Sequence, residues 1–315
     1  MKRVVSVSLG TSSRDKSAQA TFLDTPFTLE RIGTDGDRAR FRATVAELDG
    51  KVDCFGVGGT DAFLYAGDRR YAFRQTLDLM RGARVSPWVD GSGLKHTLER
   101  ETVGYLHDSG LVDFSTKRVL LVSAVDRFGM AEALVGRARS IVFGDLLFGL
   151  GLPIPLRSWP TVKALARLVL PVVTRLPVEW IYPTGAKQEV NTPRFPRVFR
   201  EADVIAGDWH IIRRFMPDRL DGKIILTQSS RAAEVELLRR RGAELLITTT
   251  PEIGGESFAT NVMEGVLVVL LGRPPAELTP TDYVGTLKRL GWRPTLTWLQ
   301  RAPAAQGEAP RADPT

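Results

Sequence analysis

Lys95 and Asp90 are the side chains whose types and spacing best suit proton transfer. They lie in Asp90-Gly91-Ser92-Gly93-Leu94-Lys95-His96-Thr97, between a β-branched run at Val85 to Val89 and a helical pattern reaching about Leu106. Burial lowers a lysine's affinity for its proton, so that it can exchange one with a hydroxyl while a nearby aspartate orients it. The competing reading is structural, with Ser92 capping the helix and Lys95 and His96 in solvent. Two polar turns can hold a substrate. Gly10-Thr11-Ser12-Ser13-Arg14-Asp15 follows a strand at Arg3 to Leu9, and Gly58-Gly59-Thr60-Asp61 follows a strand at Val52 to Val57. Arg14 suits a carboxylate and Thr60 a hydroxyl, with Ser12 and Asp61 beside them.

These residues need a scaffold, and the scaffold is clearest at residues 118–145. Val119 to Ser123 is a short apolar strand, Asp126-Arg127-Phe128-Gly129 a turn, Met130 to Leu134 a helix, and Ile141 to Phe143 a second strand ending at Gly144-Asp145. A β-α-β unit of this kind can place a pyrophosphate at the helix N-terminus and a ribose on the acid ending the second strand. Arg127 and Gly129 would then meet phosphate, and Asp145 the ribose diol. Asp145 favours NAD over NADP, because a carboxylate repels a 2′-phosphate. Only one glycine stands where the fingerprint has three, and Asp126 in the turn opposes a phosphate. S-adenosylmethionine fits the same unit, as does a non-catalytic ligand sensor.

Further strands end at Asp208-Trp209-His210, at Gln228-Ser229-Ser230 and at Thr248-Thr249-Thr250. Strand C-termini face the ligand crevice in such sheets, so Asp208, Thr248 and Thr249 join the expected cofactor site. The rim extends in sequence through Glu252, Gly254, Gly255 and Glu256. Asn261 and Glu264 are polar exceptions in an apolar helix from Ser257 to Leu271, with Glu264 expected in solvent. Tyr182 and Lys187 do not form a helical Tyr-Lys pair, since their spacing is five and Pro183 and Gly185 intervene.

The expected architecture is α/β with two domains. Residues 1–115 form an N-terminal α/β substrate domain. Residues 116–300 form a Rossmann-like, doubly wound parallel-sheet domain with a helical insertion at about 150–200. Residues 301–315 form a disordered tail. Cys54 is the one cysteine, which excludes an intramolecular disulfide and a multi-cysteine zinc site, and no metal is expected. A reducing cytoplasm fits, and the β-branched MKRVVSVSLG reads as a strand rather than a signal peptide. The net charge of +7 comes mostly from dispersed arginines, with no aromatic-interleaved stripe for nucleic acid. Val162 to Ile181 is apolar, but its prolines and charges argue against a bilayer span. Thr161 to Leu170 reads as an apolar helix, and Leu165, Leu168, Val169 and Val172 follow helix spacing, so packing against another domain or a second subunit, as in a homodimer, is expected ahead of a membrane-surface role, and no membrane partner is expected.

The order of parts resembles the shikimate/quinate dehydrogenase group. VLLVSAVDRFGMAEAL stands where that family has strand, glycine loop and helix. KIILTQSSRAAEVELLRRRGAELLITTTP and GGESFATNVMEGVLVVLLG resemble its later strands and closing helix. The resemblance implies an NAD(P)-dependent dehydrogenase of a small hydroxylated acid. The family's Asn-Val-Thr-x-Pro-x-Lys segment is absent, so its catalytic lysine is not carried over, and Gly10-Thr11-Ser12-Ser13 only loosely echoes its paired serines.

Overall fold

In the computed structural model two parallel-stranded sheets turn the carboxyl ends of their strands toward one shared crevice. The described residues are 1–67, 69–175, 190–250 and 259–300, with the backbone also of 252–253 and 256–257. The first sheet is built from β1 (Lys2–Ser8), β2 (Lys16–Phe22), β3 (Thr25–Gly33), β4 (Cys54–Gly58) and, after the hairpin β5 (Phe63–Ala66) and β6 (Arg69–Ala72) and the short helix α2 (Arg74–Leu79), β7 (Trp88–Val89). Its order is β2-β3-β1-β4-β7, with only β2 antiparallel. Alternation explains why β1 is buried on both faces. Val4 points to one core, while Val5 and Val7 point to another with Phe41 and Val45 of α1 (Arg38–Leu48).

The second sheet contains β8 (Arg118–Leu121), β9 (Ser140–Phe143), β10 (Val204–Ala206), β11 (Ile224–Thr227), β12 (Leu245–Thr248) and the antiparallel edge strand β13 (Thr295–Trp298). The order β13-β12-β11-β10-β8-β9 reverses direction at β8, so the topological switch point lies between the ends of β8 and β10. That is the position at which open α/β sheets take their ligands. The mixed α/β, doubly wound expectation therefore matches the architecture.

Helix α3 (Ser92–Asp108) joins the two sheets. Leu94 and Leu98 lie in the core of the first, Val103 and Leu106 in that of the second. Its neighbour α4 (Phe128–Leu134) packs closely because Gly129 has no side chain: a Cβ there would sit 2.4 Å from the His96 carbonyl oxygen. The chain later returns to the first sheet. After α5 (Trp159–Val173), α6 (Pro196–Glu201), α7 (Trp209–Phe215) and α8 (Ala232–Arg240), helix α9 (Thr260–Leu271) packs Val262, Met263 and Val266 beneath β1 and β4. Helix α10 (Pro280–Arg289) follows it with Tyr283 and Leu287. Residues 260–289 thus belong with the first sheet, not within the 116–300 unit expected from sequence. Of these helices the sequence marks the first, at Ser257 to Leu271, and not the second; even for the first, hydrophobic periodicity carries no information on which sheet it covers.

Tyr182, residues 185–189 (Lys187 among them), Gly254, Gly255 and the tail 301–315 lie outside the described residues. Among the described residues no helix is long and apolar enough to cross a membrane.

Candidate functional site

The switch point is filled by a side chain. Arg127 follows β8, is 4% exposed, and extends its guanidinium toward β10. It donates through Nη2 to Asp208 Oδ2 at 2.8 Å and through Nη1 to Glu99 Oε1 at 2.5 Å. Its Nε lies 3.2 Å from Asp126 Oδ2. Asp126 in turn accepts from Lys95 Nζ at 2.7 Å. Two cations and three carboxylates from α3, the β8 turn and the β10 turn thus form one buried network.

Each charge is set by its neighbours. Burial and the nearby Arg127 both disfavour the Lys95 ammonium, but Asp126, Asp61 and Glu99 more than offset them, and its pKa lies above the ordinary lysine value. This corrects the expectation of a lysine whose proton burial loosens: here the partners win. The Lys95–Asp90 pairing is corrected too. Asp90 accepts from the backbone N–H groups of Ala62 and Phe63, both at 2.7 Å, and from the Ser92 hydroxyl at 2.5 Å. It fixes the β5 approach and the start of α3. Burial opposes the charge of Asp208, yet Arg127, His210 and Lys95 hold its carboxyl well below the usual range. Burial pushes Glu99 upward despite Arg127 and Lys95. Its Oε2 has no hydrogen-bond partner.

The expected phosphate and ribose contacts are occupied by the protein itself. Asp145 accepts from the N–H groups of Ala124 at 3.2 Å and Val125 at 2.9 Å, the turn amides that a pyrophosphate would otherwise use. Burial raises its carboxyl to about 6, against those two hydrogen bonds. Arg127 is saturated by carboxylates, and Gly129 serves helix packing. Asp126, in the turn, is the partner of Lys95. A dinucleotide would have to displace both the Asp145 cap and the Arg127 bridge, so the residues present do not fit that group. Thr248 and Thr249 are buried and hold strands together: Thr249 N donates to Thr227 O at 3.0 Å, and Trp292 Nε1 to Thr249 O at 3.0 Å.

Of the expected substrate residues, Asp61 and Arg14 face the crevice. Asp61 supports the Lys95 charge, and Arg14 from the first sheet acts on His210 of the second. Burial, first, and Arg14 lower the His210 pKa, against Asp208. Ser12 is tied through its N–H to Asp35 at 2.7 Å, and the Thr60 hydroxyl lies 2.9 Å from that of Thr76, which leaves both with structural partners. Among the described residues no group of three His, Cys, Asp or Glu side chains is arranged to hold a metal ion. Between the β5–β6 hairpin, α3 and α4 the free space beside Lys95 and Asp126 is about 10 Å³, close to the minimum for one water.

One residue that carries no expectation from sequence and one that is expected elsewhere matter here. Glu99 stands one helical turn beyond Lys95, so i,i+4 spacing could have placed both on the same face. Glu264, expected in solvent, is 3% exposed and accepts from Tyr283 Oη at 2.8 Å. No sequence pattern distinguished that environment from an exposed one.

No curated protein matches the chain. Among solved structures it is similar to a periplasmic solute-binding protein of an ABC transporter from Actinobacillus succinogenes 130z with bound D-allose, at 9% identity, covering 95% of this chain and 98% of that one, TM-score 0.37. A solute-binding protein from Agrobacterium vitis with bound allitol gives 12% identity, 95% and 96% coverage and a TM-score of 0.39. An NAD-dependent malic enzyme from Thermotoga maritima gives 11% identity, 92% and 84% coverage and a TM-score of 0.35. Likenesses at this level carry no argument about chemistry. A family model described as Domain of unknown function (DUF8753) matches residues 3–90. Another, described as Domain of unknown function (DUF8754), matches residues 93–299, about two thirds of the sequence, and the chain belongs to that family.

Proposed function

We propose that the protein binds a small, hydroxylated, charged molecule in the crevice between its two sheets, without a dinucleotide. The observation that carries this reading is the Arg127 network at the switch point. A buried set of ions is a poor source of stability, because desolvation of each charge costs several kcal/mol that pairing only partly offsets. Such a cluster at the strand ends of a doubly wound sheet is better explained by recognition. Lys95, Asp126 and Asp208, between 13% and 18% exposed, are its accessible members. Fixed donors and acceptors of both signs suit a ligand carrying several hydroxyls and a carboxylate. The space beside Lys95 admits little more than a water, so binding entails separation of the walls followed by closure.

A second reading is NAD(P)-linked oxidation of a small hydroxylated acid. Lys95 favours it, being held in the first turn of α3 and within reach of the crevice. It requires the β8 turn to release Asp145 and Arg127 first. Thermal-shift titration with quinate, shikimate, aldoses, polyols, NAD, NADP and S-adenosylmethionine separates the readings. Stabilisation by a hydroxylated compound alone, lost in Lys95→Met, is the expected result. Stabilisation only when a nicotinamide nucleotide is present would sink the binding-protein reading in favour of the dehydrogenase. A shift with S-adenosylmethionine alone would replace both with the transferase.

A further inference from the structure

Residues 150–172 combine exposed apolar side chains with an unbroken positive charge. Of ten large apolar residues exposed among the described residues, five fall here: Leu150, Leu152, Ile154, Leu168 and Val172. Leu168 is 75% exposed and Val172 60%. Between Asp145 and Glu179 the sequence has no acidic residue, but it has Arg157, Lys163, Arg167 and Arg175. Three of these, Arg157, Arg167 and Arg175, are exposed.

Helix α5 explains how both features coexist. Val162, Ala166 and Leu170, spaced by four, form its buried face, and Ala166 and Leu170 pack on Leu64, Phe73 and Phe128. Leu168 and Val172, also spaced by four, form a second apolar ridge on the solvent side. Arg167 precedes that ridge in sequence and Arg175 follows it just past the helix end. A helix whose inner face is already satisfied has no folding reason to carry a second apolar ridge.

We propose that this surface docks on an anionic lipid bilayer, lying in the plane of the interface rather than spanning it. This departs from the expectation of no membrane partner. Apolar residues entering the acyl boundary beside basic residues that meet anionic headgroups are the elements of an interfacial helix. A second copy of the chain is the competing occupant. In a two-fold contact the same patch faces itself, so the basic residues would approach their own copies with no acid from this segment to compensate. Charge complementarity therefore favours the lipid surface.

The test is co-sedimentation of the whole protein with phosphatidylcholine vesicles, with and without phosphatidylserine, at low and high salt. Binding to the phosphatidylserine vesicles at low salt is expected, with affinity falling at least about tenfold at high salt. Leu168→Glu, on a largely exposed position, is expected to reduce it by about tenfold or more while the thermal midpoint stays unchanged. Arg167→Glu acts in the same direction through charge. Equal affinity for neutral vesicles, or none for either kind, overturns the proposal. So does concentration-dependent dimerisation that Leu168→Glu abolishes, since the patch would then be a subunit interface. None of these outcomes depends on the crevice ligand.

Discussion

The two walls of the crevice bury their acids by different means. On the first wall, a carboxylate caps backbone. Asp90 receives the N–H groups of Ala62, Phe63 and Ser92. Glu264, at the foot of α3, is instead driven toward its protonated form, its carboxyl raised to about 8 by burial and then by Asp90. On the second wall Asp145 caps backbone as well, but Asp126, Asp208 and Glu99 are balanced by Arg127 and Lys95. The same residue types at equivalent strand ends thus close one turn by hydrogen bonding and hold the other by charge. A wall of capped backbone is finished without a ligand. A wall of ions can exchange one partner for another.

Arg127→Met is the sharpest way to break this contrast. It leaves the buried Glu99 and Asp208 carboxylates without their cation, and should cost about 3–5 kcal/mol in urea unfolding. Replacing Glu99 and Arg127 together by Met should recover part of that loss, because the uncompensated charge goes as well. If the double variant is no better than the single one, the ions are not the reason.

The first wall predicts a pH effect instead. Folded Glu264 keeps its proton until about pH 8, whereas the unfolded chain releases it in the ordinary glutamate range. Across that interval the native state binds the extra proton, so stability falls as pH rises, by about 1.4 kcal/mol per pH unit for this group. Below the interval its contribution is fully present. Tyr283, Tyr65, Asp90 and Cys54 are the titratable neighbours, and burial raises Tyr283, Tyr65 and Cys54 so that they remain neutral there. Glu264→Gln still offers an oxygen to Tyr283, and should flatten the dependence between pH 5 and 8. An unchanged slope would show that Glu264 is ionised in the native protein. Asp208 has the opposite sign: its depressed value gives stability at neutral pH that is lost only in strong acid.

Asp90→Ala tests the capping side. It strips an acceptor from three N–H groups, two of them where the chain enters β5, and should cost about 2 kcal/mol. A loss equal to that of Arg127→Met would erase the distinction between the walls.

What could be read in advance follows the range of the interactions. Strands such as 224–227 and helices such as 232–240 are written in local periodicity, and the β-α-β unit at 118–143 was visible from apolar runs and turn residues alone. The crevice was visible too, since Asp61, Lys95, Arg127 and Asp208 all end strands or begin helices. The partners were not. Asp126 was read as an obstacle to phosphate, but it is the counterion of Lys95, 31 residues away. Asp145 was read as a ribose ligand, but it caps the turn that would have held the phosphate. Asp208 meets Arg127 across 81 residues of sequence. Pairings of that kind depend on which loop lies opposite, which no spacing within a single element encodes.

The smallest stability effect belongs to Lys95. Its ammonium is 13% exposed and shares Asp126 with Arg127, so removing it leaves that carboxylate still paired. Lys95→Met should therefore cost only about 1 kcal/mol in unfolding. Its effect on ligand binding should be much larger, because Lys95 is the cation of the network that retains exposure to the crevice. Loss of about tenfold or more in affinity for a carboxylate-bearing ligand, with little change in the urea midpoint, is the expected pattern. Lys95→Arg keeps the charge and should restore part of the affinity, though not all, because a planar guanidinium directs its donors differently from an ammonium. If Lys95→Met destabilises the fold as much as Arg127→Met and leaves affinity untouched, the second wall is structural, like the first.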